Sequence, residues 1–120
     1  MSMPTQPRIH EVRRGDLVLT VRDFAPAEPR PGAGPVLLLH GWPQDGHSWD
    51  AVVPHLLAAG HRVLVPHLRG ARPAAAPRWR WSYRATELVG DVAAIVALVG
   101  EPVHVVGHDW GAALAWWVAC

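Results

Sequence analysis

Apolar residues in the first third of the chain fall into short runs that turn-forming residues separate. Two runs, residues 9–13 and 17–24, flank Arg14-Gly15-Asp16; a glycine followed by an aspartate suits a tight turn, so we predict a β-hairpin. Residues 25–35 contain four prolines and two glycines, which predicts a loop. Residues 36–39 are continuously apolar, which is typical of a strand buried on both faces of a parallel sheet.

Two later segments have helical periodicity. Residues 48–59 repeat apolar positions at helical spacing, with Ser48 as a candidate N-cap and Gly60 at the end. Pro54 lies inside this segment, so it predicts either an irregularity or a later start of the helix. Residues 83–99 carry one apolar stripe, and Gly100 is placed to end that helix.

The segments between the helices complete an alternating order. Residues 62–65 and 103–106 are short apolar strands, residues 66–81 are a proline-rich loop, and a further helix begins at Ala112. The order is a hairpin followed by alternating strands and helices, which predicts an α/β fold with a mostly parallel sheet and flanking helices. A fold of this kind does not by itself indicate a function.

Composition and charge indicate a globular protein and argue against a nucleic-acid-binding or membrane-spanning one. The chain has 120 residues, a formal net charge of +1 and half of its residues hydrophobic, which suits one globular domain. Its basic residues are scattered, so we expect no nucleic-acid partner. The only cysteine is Cys120, the start lacks the apolar core of a signal peptide, and the apolar runs are too short to span a membrane. We expect a cytoplasmic protein without membrane partners, cofactor or metal, since no two histidines have ligand spacing on one helix.

The segment with the clearest chemistry is Val105-Val106-Gly107-His108-Asp109-Trp110-Gly111-Ala112. A Gly-x-nucleophile-x-Gly pattern between a strand and a helix is typical of the nucleophile elbow, a strained turn that lifts the central side chain clear of the sheet. Gly107 and Gly111 are needed there because the strand and helix backbones pass too close for a Cβ atom. The pattern predicts Asp109 as the nucleophile. Asp109 could instead be only a helix cap, but a cap does not need flanking glycines.

An aspartate at the elbow changes the reaction that the turn can carry. A carboxylate with a reference pKa of about 3.9 is ionised at neutral pH and attacks an sp³ carbon directly, expelling an alkoxide or a halide. Water must then attack the resulting ester, and that step needs N–H donors for the oxyanion. The backbone N–H groups of Trp110 and Trp42 are the natural donors, because the loops after both strands open at the same edge of a parallel sheet.

Four pieces of the chain, in this order, resemble the α/β-hydrolase superfamily and, within it, the epoxide hydrolase and haloalkane dehalogenase branch. They are His40-Gly41-Trp42-Pro43, Leu68-Arg69-Gly70, the helix over 83–99 and Gly107-His108-Asp109-Trp110-Gly111. The resemblance implies that Asp109 is the nucleophile and that Trp42 and Trp110 supply the oxyanion N–H groups. His40, Gly41, Pro43, Gly107, His108 and Gly111 then support the loop and the elbow.

The same resemblance implies a small-molecule substrate, either an epoxide or a haloalkane. Haloalkane dehalogenases usually have Asn in place of Trp42, so the aromatic residue is more similar to epoxide hydrolases. As in the dehalogenases, the indole of Trp110 could contact a leaving group. His108 is expected to be a spacer rather than a base, and His67 stands where the family often has Asp.

In this family an acid, a histidine base and a cap domain follow the elbow. The chain ends eleven residues after Asp109. The resemblance therefore predicts that residues 1–120 are the N-terminal portion of one core domain, with an incomplete sheet and without the cap domain and C-terminal half. Alone, such a chain is expected to be inactive. It could also be a non-catalytic truncated remnant, or a binding module that keeps the pocket without the chemistry.

Some remaining residues are expected to be structural. Tyr83 and four tryptophans are expected to pack in the core or face the cap, and four acidic residues are expected to be helix-start or solvent charges. The strand over 103–106 is expected to have an unpaired edge, because further strands of the family's sheet follow it. The tryptophans are Trp79, Trp81, Trp116 and Trp117, and the acidic residues are Asp45, Asp50, Glu87 and Asp91.

Overall fold

The computed structural model of the chain describes residues 6–72, 75–77 and 80–119, with only the backbone at 80 and 81. Trp79, Cys120 and the side chain of Trp81, about which the sequence makes predictions, lie outside the described part. Five strands and three α-helices follow one another in the predicted order. They are β1 (Arg8–Arg14), β2 (Leu17–Phe24), β3 (Val36–Leu39), α1 (Val53–Ala58), β4 (Val63–Pro66), α2 (Ala85–Val99), β5 (His104–Gly107) and α3 (Trp110–Ala119).

The strands form one mixed sheet in the order β1-β2-β4-β3-β5. The first two strands form the predicted antiparallel hairpin, with Arg14 paired to Leu17 and Gly15 at a φ of +62° in the turn. β2 is antiparallel to β4, while β4 and β5 both run parallel to β3. The predicted α/β fold, with parallel strands and an N-terminal hairpin, is confirmed.

The sheet is covered on both faces, which explains the unbroken apolar sequence of β3. Leu37 and Leu39 pack in a cluster with Val92 and Ile95 of α2 and with α3. Val36 and Leu38 point to the opposite face, where they pack with Val53 of α1. All four β3 side chains are buried, as predicted for a central parallel strand.

The first helix begins later than the main prediction. Ser48 does not cap it; residues Gly46–Trp49 form a 3-10 helix instead, and Asp45 Oδ1 caps that turn by accepting from the His47 N–H at 2.9 Å. α1 starts at Val53, with Pro54 in its first turn. Proline lacks an N–H and clashes with the preceding turn inside a helix, so it is tolerated only in the first turn. The later start, given above as one of two possibilities, is what occurs.

The other predicted boundaries differ from the structure by at most two residues, and those of β2 and β3 match it. α2 begins at Ala85 after another 3-10 helix, Arg80–Tyr83, and ends at Val99. Gly100 follows it with a φ of +78°, as predicted for a helix-ending glycine. α3 begins at Trp110, two residues before the expected start, because the N–H groups of Ala112 and Ala113 already donate to the Asp109 carbonyl.

β5 forms one edge of the sheet within the described residues, as expected for this strand. Large apolar side chains nearby are exposed: Val106 to 42%, Trp117 to 43% and Trp116 to 73%. Trp116 and Trp117 are therefore not core residues of this structure. None of the described helices has the length and hydropathy needed to cross a membrane.

Candidate active site

The turn between β5 and α3 presents Asp109 in an unusual backbone conformation. Asp109 has a φ of +59°, and every other described residue with a positive φ is a glycine. Residues with a Cβ rarely adopt this region, and such strain clusters at functional sites. The residue is exposed and is not turned into the interior of the protein. The predicted strained turn between strand and helix is present.

The two glycines that flank the turn lie where backbones cross. A Cβ atom at Gly107 would lie 2.6 Å from the Ala112 nitrogen and would overlap the carbonyl of Gly111. A Cβ at Gly111 would lie 2.7 Å from the carbonyl oxygen of His40 and would overlap that of Leu39. Backbone atoms cannot yield as a flexible side chain can, so both positions require glycine for the predicted reason.

The loop after β3 lies beside this turn. Leu39 pairs with Gly107 in the parallel ladder, which brings the ends of β3 and β5 together. A Cβ at Gly41 would lie 2.7 Å from the Cβ of Asp109 and 3.1 Å from its Oδ2 atom. The loop after β3 and the turn after β5, which the sequence motifs indicated, therefore meet at one edge of the sheet. The peptide bond between Trp42 and Pro43 is cis.

His40 ties this loop to the turn after β4. Its buried ring donates from Nδ1 to the Gly41 carbonyl at 2.8 Å, and its Nε2 accepts from the Leu68 N–H at 2.8 Å. These partners assign the proton to Nδ1. Burial lowers the pKa of His40, so the neutral ring is favoured. His40 therefore connects the loop at Gly41 with the turn at Leu68, while the exposed ring of His108 makes no hydrogen bond to the described residues.

The backbone N–H groups of Trp42 and Trp110 donate no hydrogen bond to any residue that the structure describes. Both residues line a cleft of about 460 Å³ whose walls also include Tyr83, Leu88 and Leu114. Gly41 lines the same cleft, and Asp109 stands next to Gly41 in space and next to Trp110 in sequence. Trp42 and Trp110 thus line one mostly apolar cleft, and Asp109 lies beside it, next to two of its lining residues.

The sequence profile of the alpha/beta hydrolase fold family matches residues 34–120. The chain belongs to the α/β-hydrolase fold family. It is 41% identical over 104 residues to epoxide hydrolase B of Mycobacterium tuberculosis, covering 86% of this chain and 28% of that protein. Epoxide hydrolase 3 of Siraitia grosvenorii is 43% identical over 88 residues, covering 72% and 28%. This α/β-hydrolase chain therefore spans little more than a quarter of the length of these relatives.

Solved structures are similar to the chain over nearly all of its length. An epoxide hydrolase from Vigna radiata superposes with a TM-score of 0.79 at 32% identity, covering 94% of this chain and 35% of that one. An epoxide hydrolase from an endophytic Streptomyces gives a TM-score of 0.79 at 33% identity, covering 96% and 33%. The α/β-hydrolase fold predicted from the sequence is confirmed.

One charged cluster of this α/β-hydrolase was not predicted. Asp91, expected to be a helix-start or solvent charge, is buried in α2 and accepts from Arg14 Nε at 2.9 Å. It also accepts from Nε and Nη2 of Arg69 at 2.9 and 2.8 Å. The prediction was wrong because Asp91 follows Leu88 by three residues and precedes Ile95 by four, which places it on the apolar stripe of the helix. That placement was the available signal.

The other acidic residues fit the expectation better. Asp45 caps a 3-10 helix, while Glu87 and Asp50 keep side chains that are 39% and 53% exposed. Asp50 is not merely solvated, since it accepts from Arg22 at 2.9 Å. Tyr83 donates its O–H to the Pro77 carbonyl at 3.0 Å and also lines the cleft.

A second buried carboxylate was also missed. Asp23 accepts from Arg62 at 2.9 and 2.7 Å and pairs with His10 at 2.8 Å. Burial alone would raise the pKa of Asp23, but the hydrogen bonds from Arg62 and His10 outweigh burial and lower it. Asp23 and its two partners come from three different segments of the chain, so local sequence patterns did not indicate the cluster.

Proposed function

We propose that this chain carries the nucleophile of an epoxide hydrolase, and that Asp109 is that nucleophile. The observation that supports the proposal most is an exposed carboxylate at a positive φ, beside the loop of Gly41 and Trp42 and next to a mostly apolar cleft. The names of the most similar relatives point to the same substrate class.

In the first step an Asp109 carboxylate oxygen attacks one carbon of the epoxide ring. The new bond is an ester C–O bond, and the ring C–O bond breaks with its electron pair on oxygen. That alkoxide takes a proton from an acid and becomes a hydroxyl group. Attack by an ionised carboxylate needs no general base, which distinguishes this elbow from one built on serine.

In the second step water attacks the carbonyl carbon of the ester. The carbonyl oxygen becomes an oxyanion, and the proposal assigns its stabilisation to the N–H groups of Trp42 and Trp110, which donate to no other described residue. Collapse of this intermediate releases the diol and restores the Asp109 carboxylate. The step needs a base, and residues 110–120 contain no histidine, aspartate or glutamate. The proposal therefore takes the base, its acid partner and the cap domain from outside these 120 residues, which alone form the ester at most.

An isotope-labelling experiment on the full-length protein tests this proposal. A single turnover of an epoxide in oxygen-18 water should place the heavy oxygen in the peptide that contains Asp109, because water attacks the ester carbonyl and not the substrate carbon. Asp109→Asn should lower kcat by at least about a thousandfold, as loss of a covalent nucleophile does. The matched control is Asp16→Asn in the exposed hairpin turn, which should keep the wild-type rate.

Two other labelling results would favour a different function. Label at Asp109 with a haloalkane but not with epoxides would favour a haloalkane dehalogenase, in which the Trp110 indole could contact the halide. No label with either substrate, in a protein that still folds, would favour a binding module or a non-catalytic remnant and would overturn the proposal.

A further inference from the structure

The residue after β4, His67, is a buried histidine with a hydrogen-bond donor at each ring nitrogen. The residue is 5% exposed. The Gly46 N–H donates to Nδ1 at 3.0 Å, and Nη2 of Arg72 lies 3.4 Å from Nε2. A neutral imidazole has one acceptor nitrogen and an imidazolium has none. The shorter contact assigns the acceptor to Nδ1, and protonation of the ring would break the bond from Gly46.

The charges around His67 oppose that protonation. Arg72 faces the ring from the turn after β4, Arg22 faces it from β2, and the His47 ring lies 5.3 Å away. Asp45 is the acidic group that favours the charged ring, but it is itself 3.5 Å from Arg72. Burial first, and then Arg72, lowers the pKa of His67 to about 4. The ring is neutral, and an acceptor, across the range in which enzymes usually work.

Gly46, the partner of His67, is one end of the loop that carries Trp42. Its carbonyl accepts from Arg22 Nη2 at 2.9 Å, and a Cβ at Gly46 would lie 3.0 Å from the Pro66 carbonyl oxygen. The other end of the loop is held at Gly41 by His40. Between these ends the Gln44 N–H donates to the Gly41 carbonyl at 3.1 Å, while the backbone of Trp42 makes no hydrogen bond to the described residues. The position of the Trp42 N–H therefore follows from how the two ends of the loop are held.

We propose that His67 is a positioning residue, whose neutral ring fixes Gly46 and thereby holds the Trp42 N–H in place for the oxyanion of the second step. The inference rests on the proposed function for the role of the Trp42 N–H. The anchoring of Gly46 does not depend on it. Because the Trp42 N–H stabilises the oxyanion and takes no part in the attack on the epoxide, loss of the anchor should slow ester hydrolysis and leave ester formation unchanged.

Kinetic measurements on His67 variants of the full-length protein test whether ester hydrolysis slows while ester formation does not. His67→Leu, which has no acceptor, should lower kcat at least tenfold, leave KM equal or lower, and make the Asp109 ester accumulate. His67→Asn, a neutral acceptor that does not titrate, should restore kcat to within threefold of wild type. His55→Leu on the exposed face of α1 is the control and should behave as wild type. Wild-type kcat in His67→Leu, or a fall in kcat without ester accumulation, would overturn the proposal.

A measurement without substrate keeps the two proposals separable. In protein with isotope-labelled glycine and tryptophan, the amide signals of Gly46 and Trp42 should shift together as the pH falls, with a midpoint below pH 5. The shift should vanish in His67→Asn and persist in His47→Asn. Amide signals that do not move with His67 would refute the anchor even if the ester forms. A shift of both amides in a protein that forms no ester would retain the anchor and reject the hydrolase.

Discussion

Asp109 adopts a backbone conformation that residues with a Cβ rarely take, and the glycines on each side of it explain how. Gly107 and Gly111 let β5, α3 and the end of β3 come together without steric overlap. The strain at Asp109 is held by this packing. At the scale of single residues, the sequence indicated this site because glycines at fixed spacing are a local signal.

The position of Gly111 gives a direct test of that packing. Gly111→Ala should lower the free energy of unfolding by about 2 kcal/mol or more, because the new Cβ meets the backbone of Leu39 and His40. In the control variant Gly34→Ala, the new Cβ lies 3.2 Å from the exposed side chain of His104, which can move. Denaturant titration of both variants checks the difference, and equal effects would argue against close approach at Gly111.

Acid stability should depend on His67. Its pKa is 6.5 when exposed in the unfolded chain and about 4 in the fold, so the unfolded state binds more protons between these values. Stability should be constant above about pH 6.5 and fall as the pH drops toward 4, by up to about 3 kcal/mol. His40, whose pKa is also lowered, acts in the same direction.

The measurement is denaturant unfolding at a series of pH values. His67→Asn should make the free energy of unfolding flatter over this pH range, while His55→Asn on the surface should not change the slope. The pKa of Asp23 is lowered from 3.8, so its carboxylate loses its contribution to the free energy of unfolding only below the pH range in which His67 titrates. A wild-type slope in His67→Asn would contradict the assignment.

At the scale of elements, charged side chains link segments whose apolar patterns were predicted separately. Asp91 of α2 binds Arg14 at the end of β1 and Arg69 in the turn after β4. This cluster fixes the hairpin and the turn against the helix. The pattern of 83–99 predicted the helix correctly, yet it could not indicate which basic residues would reach Asp91, because they lie on other elements.

Asp91→Asn should therefore destabilise the protein strongly. It leaves the guanidinium of Arg69, which is 5% exposed, with only the longer 3.8 Å contact to the half-exposed Glu87, and removing one partner of a buried ion pair costs about 3–5 kcal/mol. Glu87→Gln is the matched control in the same helix. Glu87 is 39% exposed and lies 3.8 and 3.9 Å from the same arginines, so about 0.5 kcal/mol is expected. Thermal or denaturant unfolding that ranks the two variants equally would contradict this.

At the scale of the whole molecule, the two edges of the sheet differ. β1 carries Arg8, Glu11, Arg13 and Arg14, and charges of this kind discourage edge-to-edge pairing. β5 has the sequence His-Val-Val-Gly, with Val106 exposed.

The exposed edge predicts self-association of the 120-residue chain. Light scattering should show a mass that grows with concentration, and Val106→Lys should reduce it, because a charge on an edge strand disfavours pairing. Ile9→Lys, at a residue that is 54% exposed on the opposite edge, should have a smaller effect. A monomeric wild-type chain at all concentrations would show that β5 does not pair.

The sequence by itself determined the order of strands and helices, the hairpin, and the turn at Asp109. These follow from periodicity, proline and glycine, which act over a few residues. The tertiary structure decided which distant groups meet: Asp91 and Arg14, 77 residues apart, and His67 with Gly46 across 21 residues. It also decided that α1 starts at Val53. Such pairings depend on how the sheet orders its strands, and no local pattern carries that order.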